Sequence, residues 1–181
     1  SQISKRSEVK FRGRIGPLRD DQKRIRILNR IVEWSSLGII YEADQRHAEI
    51  VIRDLGLDKK STSVVTPGVK EEGEVTVSEL VDSHESTMYR AAVARLNYLS
   101  QDRSDIQYSV KELSRLMSEP TREGQQKLKR IGRYLVGRER SVVKYNYPNA
   151  VSCVSAWTDT DFAGCRRTRK STSGGVAMLG S

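Results

Sequence analysis

The chain has 181 residues, 36% of them hydrophobic and only 6% aromatic, with a formal net charge of +9 at neutral pH. That size suits one large domain or two to three small subdomains around a modest core, and no apolar run approaches the length of a membrane span, so no membrane is expected as a partner. Two cysteines, Cys153 and Cys165, are too few for a disulfide framework and have no companion Cys or His at zinc spacing, which predicts a reduced, intracellular setting.

The chain opens Ser1-Gln2-Ile3-Ser4-Lys5-Arg6, with neither an initiator Met nor an apolar signal core, and so reads as a piece of a longer polypeptide. Residues 8–15 and 24–34 then alternate with period two. In the second run Ile25, Ile27, Asn29 and Ile31 share one face and Arg24, Arg26 and Arg30 the other, which predicts one half-buried strand. Ser35 to Gly38 reads as a turn and Ile39 to Glu42 as the return strand. Asp44 is expected to cap a helix whose apolar positions are Ala48, Val51, Ile52 and Leu55, with Gly56 closing it. His47, in the first turn of that helix, and His84 are read as surface residues without a role.

From residue 58 to 83 the periodicity dissolves. Glu71, Glu72, Glu74, Glu79 and Asp82 follow one another with no Lys or Arg between them, as in a solvated acidic linker. Three helices are expected next. Residues 85–99 carry Tyr89, Val93, Leu96 and Leu99; residues 104–118 carry Ile106, Val110, Leu113 and Met117; residues 121–136, capped by Thr121, carry Leu128, Ile131 and Leu135. Strands are expected over 141–147, 153–157 and 174–180.

The charge is unevenly placed. Residues 1–84 hold 15 Lys and Arg against 14 Asp and Glu, whereas residues 85–181 hold 17 against 9. Between Arg122 and Lys144 eight basic residues face only Glu123 and Glu139. Lys127, Arg130 and Arg133 recur at helical spacing beside the apolar stripe, with Lys129 and Arg138 close by. A solvated helix face would carry mixed charge with Glu-to-Lys pairs. A nearly acid-free row instead suits the phosphates of a nucleic-acid duplex, each neutralised phosphate releasing counterions.

Asp159 and Asp161 alternate with Thr158, Thr160 and Phe162. On a strand both carboxylates would face one side. Paired carboxylates are the start of a site for magnesium, which prefers hard oxygen ligands; two such ions about 3.5–4 Å apart clamp the attacking and leaving oxygens of a phosphodiester. An exposed Asp pair at a strand end is the plainer alternative.

Residues 89–181 resemble the reverse transcriptase–ribonuclease H junction of copia-type LTR retrotransposon Pol polyproteins. The resemblance is carried by Tyr89-Arg90, Val93, Leu96 and Tyr98-Leu99, then Arg103-Ser104-Asp105-Ile106, then Leu113-Ser114-Arg115 with Met117 and Pro120-Thr121. It continues through Leu128-Lys129-Arg130, Arg133-Tyr134-Leu135 and Gly137, and ends with Asp159-Thr160-Asp161-Phe162-Ala163-Gly164 and Arg169-Lys170-Ser171-Thr172-Ser173-Gly174. Residues 25–84 match more loosely.

The resemblance implies an α+β fold: a palm remnant over 1–70 (strands plus one helix), an acidic linker over 71–84, a helical thumb-like unit over 85–138, and the first strands of a ribonuclease H-like fold over 140–181. It implies that Asp159 is a catalytic carboxylate holding Mg2+ in the complete parent, with the role of Asp161 open. The polymerase Tyr-Val-Asp-Asp strand and most of the family's ribonuclease H carboxylates are absent from the sequence, so the chain alone is expected to be inactive. The implied parent is an RNA-directed DNA polymerase with ribonuclease H activity, working in cytoplasmic virus-like particles and the nucleus beside further polyprotein domains. The expected partner is an RNA–DNA hybrid or DNA duplex, the template–primer, gripped through Lys127, Lys129, Arg130, Arg133 and Arg138. The alternatives are a non-catalytic nucleic-acid-binding module, a decayed relic, or a scaffold joining two enzymes.

Overall fold

The alternating run 24–34 is a hairpin and not one strand. Arg24–Ile27 forms β1 and Arg30–Ser35 forms β2. Leu28 and Asn29 reverse the chain between them with φ of 50° and 62°. Two left-handed residues in a two-residue loop match the twist of the flanking strands, and Asn29 tolerates that conformation better than most residues. The reversal sets Ile31 across from Arg26, so it does not share the face of Ile25 and Ile27 as the alternation suggested. The computed structural model describes residues 12–69, 78–148, 153–165 and 168–179. Residues 8–11 of the first alternating run, Glu71, Glu72 and Glu74 of the acidic stretch, and Arg166 and Arg167 lie outside the described residues.

β2 continues into β3, Gly38–Glu42, and β3 pairs antiparallel with β4, Val142–Asn146, giving a sheet of order β1-β2-β3-β4. The resemblance places β4 with the last segment of the chain; in the structure it completes the first sheet instead. Gly38 makes the pairing possible, because a Cβ there would stand 2.0 Å from the Tyr145 carbonyl oxygen. Arg140 holds the opposite end of the pairing with a fork on Glu42, at 3.0 and 3.1 Å. The described residues up to Asp44, together with Arg140–Asn146, form one compact unit.

The second unit runs from Gln45 to Glu139 and resumes at Tyr147. Its helices are α1, Arg46–Asp54; α2, Ser83–Ser100; α3, Ser104–Ser114; and α4, Arg122–Leu135. Each contributes the apolar spacing read from the sequence: Val51, then Tyr89, Val93, Leu96 and Leu99, then Ile106, Val110 and Leu113, then Leu128, Ile131 and Leu135 all enter one core. Burying each such side chain contributes roughly 1.5–3 kcal/mol. Two caps differ from expectation. The N-cap of α1 is Gln45, which makes no side-chain cap bond, while Asp44 is buried one residue earlier. α2 begins in a capping box, Asp82 accepting from the Glu85 amide and Glu85 reaching back to the Asp82 amide. α3 ends at Ser114, short of the expected 118.

The predicted solvated linker is pinned at its far end. The Val81 amide donates to the Pro120 carbonyl (3.0 Å), the Arg122 amide to the Glu79 carbonyl (2.9 Å) and the Glu123 amide to Ser78 Oγ (3.0 Å). The first amides of α4 have no partner within the helix, so Ser78 and Glu79 supply acceptors. The unit ends in a separate two-stranded sheet, β5, Val154–Thr160, antiparallel to β6, Ser173–Leu179. The architecture is thus mixed α+β. No helix among the described residues is long and apolar enough to cross a membrane.

Candidate nucleic-acid interface

α4 carries the basic row. Thr121 opens it by accepting from the Gly124 amide at 3.1 Å, and Leu128, Ile131 and Leu135 anchor one side of it in the core. With that side fixed, positions 127, 130 and 133 fall on the flank beside it, as helical spacing requires. The cations on this flank are not equivalent. Lys127 meets Glu123 at 2.6 Å one turn earlier, an i,i+4 pair of the kind a solvated face would show. Lys129 is exposed.

The three arginines reach back to one short stretch of their own unit. Arg130 Nη2 donates to Thr66 Oγ1 at 3.0 Å, Arg133 Nε to the Thr62 carbonyl at 2.8 Å, and Arg138 Nη1 to the Val64 carbonyl at 3.1 Å. Arg138 also bonds the Tyr134 carbonyl and lies 5.0 Å from the centre of the Tyr134 ring. Arg130 Nε is buried and meets no acceptor among the described residues. Lys127 and Arg130 line a cleft whose other walls include Tyr108, Glu112, Arg115 and Cys165. Nothing in the sequence signals this arrangement: two of the three acceptors are backbone carbonyls, which every residue possesses.

The motif residues of α2 and α3 set the geometry behind the row. Tyr89 Oη, buried, donates to the Leu113 carbonyl at 2.9 Å, and burial holds its phenol well above the ordinary range. Arg90 donates to the Met117 and Ser118 carbonyls in the turn that follows α3. Arg103 Nη1 donates to the Arg138 carbonyl at 2.8 Å and so fixes the chain where α4 ends. Tyr134 Oη donates to Asp105 Oδ2 at 2.9 Å.

The two carboxylates of the last segment do different things. β5 ends at Thr160, so Asp159 lies on the strand, exposed, while Asp161 lies past it. Asp161 Oδ1 accepts from the Gly164 amide at 3.1 Å and the Thr172 amide at 2.8 Å, closing the loop between β5 and β6. A Cβ at Gly164 would stand 2.5 Å from the Asp161 carboxyl and displace it from these bonds. The two side chains therefore do not form a matched pair on one strand face. Among the described residues no three of His, Cys, Asp and Glu gather as metal ligands. Magnesium needs several hard oxygens, and one exposed carboxylate beside one already bonded to backbone amides does not meet that need. These residues alone do not fit the ion.

Cys165 lies in the same loop. Arg115 Nη2 approaches its sulfur at 3.0 Å. Hydrogen bonds from Thr168, side chain and backbone, with a further contribution from Arg115, bring the thiol down to about 7.

Comparison with known proteins gives three relatives. An uncharacterized mitochondrial protein of Arabidopsis thaliana is 33% identical over 142 residues, covering 78% of this chain and 57% of the relative. The retrovirus-related Pol polyprotein from transposon RE1 of the same plant is 42% identical over 94 residues, and that from transposon RE2 is 37% identical over 94. Those alignments cover 52% of this chain and 6% of each polyprotein. The chain therefore spans little more than half of the first relative and a small part of the other two. No protein-family model and no solved structure matches it.

Proposed function

We propose that this chain, a relative of the retrovirus-related Pol polyproteins of copia-type transposons, holds a nucleic-acid duplex, the RNA–DNA hybrid or DNA duplex of a template–primer, by its phosphate backbone. The contacts assigned are Lys127, Lys129, Arg130, Arg133 and Arg138. One observation carries the reading: four of the five cations stand on α4 and the fifth just past it, on a helix whose other side is locked in the core. A row so anchored presents its charges on a backbone that is already ordered before binding. Phosphate contacts of this kind position a duplex without reading its sequence.

In this proposal the first sheet and α1 belong to a polymerase palm, α2–α4 to a thumb-like unit, and β5–β6 to the opening of a ribonuclease H-like fold. The parent activity would be RNA-directed DNA synthesis coupled to hydrolysis of the RNA strand. Asp159 would be this chain's single contribution to a magnesium site; the other carboxylates would have to come from elsewhere. The role assigned to the chain itself is binding.

A purely structural role for the row is the rival reading, favoured by the arginine bonds to residues 62–66 and by the Lys127–Glu123 pair. Equilibrium titration of a fluorescent RNA–DNA hybrid separates the two. Duplex holding predicts saturable binding at low salt, similar across sequences and falling steeply as salt is added. Absence of saturable binding at low salt leaves the structural role standing alone.

A further inference from the structure

Arg130, Arg133 and Arg138 converge on residues 62–66, donating to the oxygens of Thr66, Thr62 and Val64. These are alternate residues of one stretch, and they meet the guanidinium groups with neutral oxygens where a duplex would offer charged ones. We infer that residues 62–66 act as a strap that competes with nucleic acid for the arginine row and must leave before a duplex can seat. The inference rests on the duplex-holding reading above.

The strap is lightly held apart from these bonds. It has no helix or strand, Val65 is 83% exposed, and Thr66 Oγ1 makes its other bond only two residues on, to the Gly68 carbonyl at 2.9 Å. A bond from guanidinium to a neutral oxygen carries charge on the donor side alone, whereas a phosphate oxygen adds an opposite charge and can be gripped by two parallel N–H groups. Phosphate oxygens thus outcompete carbonyls for the same donors. The strap also leaves one donor unmet, since Arg130 Nε is buried without an acceptor among the described residues. A phosphate, with several oxygens, can take both Nε and Nη2 in a fork. Exchange of strap for phosphate therefore gains charge pairing and satisfies the orphan together.

Such a strap sets affinity through population. The observed dissociation constant is the intrinsic one divided by the fraction of molecules with the row open. Substituting Thr62→Gly, Val64→Gly and Thr66→Gly together removes the Thr66 acceptor and raises the entropy lost on clasping, which opens the row. The full chain carrying these changes is expected to bind an RNA–DNA hybrid on the order of fivefold more tightly than the parent. In the unaltered chain, adding hybrid is expected to speed proteolytic cutting within 62–66, which does not depend on how the variant folds. Equal or weaker binding by a folded variant, or cutting that is unchanged or slowed by hybrid, overturns the strap. If neither parent nor variant binds hybrid at any salt, the duplex-holding reading itself has failed.

Discussion

Arg103 and Asp105, two residues apart at the start of α3, meet through two hydrogen bonds: Nε to Oδ1 at 2.9 Å and Nη2 to Oδ2 at 2.7 Å. The Arg103 side chain is only 3% exposed, whereas that of Asp105 is 36% exposed. Arg103 also donates to the Arg138 carbonyl and Asp105 accepts from Tyr134, so the pair joins α3 to the end of the basic helix. The Arg-Ser-Asp-Ile motif thus orients the candidate interface without belonging to it.

Asp105→Asn leaves a buried guanidinium without its carboxylate and is expected to cost about 2 kcal/mol at neutral pH, a figure reduced for the partial exposure of the carboxyl. Burial alone would raise the Asp105 carboxyl, but the bonds and charge of Arg103 outweigh it and hold it below the ordinary value. A depressed acid contributes stability above its unfolded value near 3.8 and loses it as pH falls through the lower folded one. Urea unfolding should therefore show the gap between parent and variant narrowing below about pH 4. A gap that does not narrow under acid conditions means the pair adds nothing by charge.

Asp159 and Asp161 should separate cleanly. Asp161→Ala strips two backbone amides of their acceptor and should loosen the β5–β6 loop by about 1–2 kcal/mol, seen as faster hydrogen exchange at Gly164 and Thr172. Asp159→Asn, on the exposed strand, should leave those rates unchanged. Equal effects would mean that Asp159 also supports the turn.

The apolar stripes of α2, α3 and α4 are legible in the sequence because helical spacing of large side chains is a local property that burial rewards directly. The Asp82–Glu85 capping box has its spacing in Asp-Ser-His-Glu, yet the acidic run around it reads more readily as linker. The hairpin at Leu28–Asn29 is hidden because Leu28, at φ 50°, is an unusual residue for a left-handed turn and the alternation continues through it. At the candidate site, the row on α4 can be read but its partners cannot. Carbonyls of residues 62 and 64 leave no mark in the side chains, and pairing across some seventy positions is a product of the fold. The double role of the Asp-x-Asp motif is likewise divided by where β5 stops.

Cys165 should alkylate with a midpoint near pH 7, following its lowered thiol. Thr168→Val removes the largest cause and Arg115→Gln a smaller one, so both should move the midpoint upward, the first by more. Iodoacetamide rates across pH, with Cys153 replaced by Ser, read this directly. No movement in either variant means that Thr168 and Arg115 do not set the thiol.

Neutralisation of phosphates by the flank of α4 is tested most directly by the salt dependence of hybrid affinity. The comparison is between the parent and the chain carrying Lys129→Gln, Arg130→Gln and Arg133→Gln, both checked for helix content by circular dichroism. Duplex holding predicts weaker binding by the variant. It also predicts a log–log slope shallower by about 1 for each phosphate no longer neutralised, roughly two to three in all. Equal slopes and equal affinities for the two proteins, with both folded, contradict it.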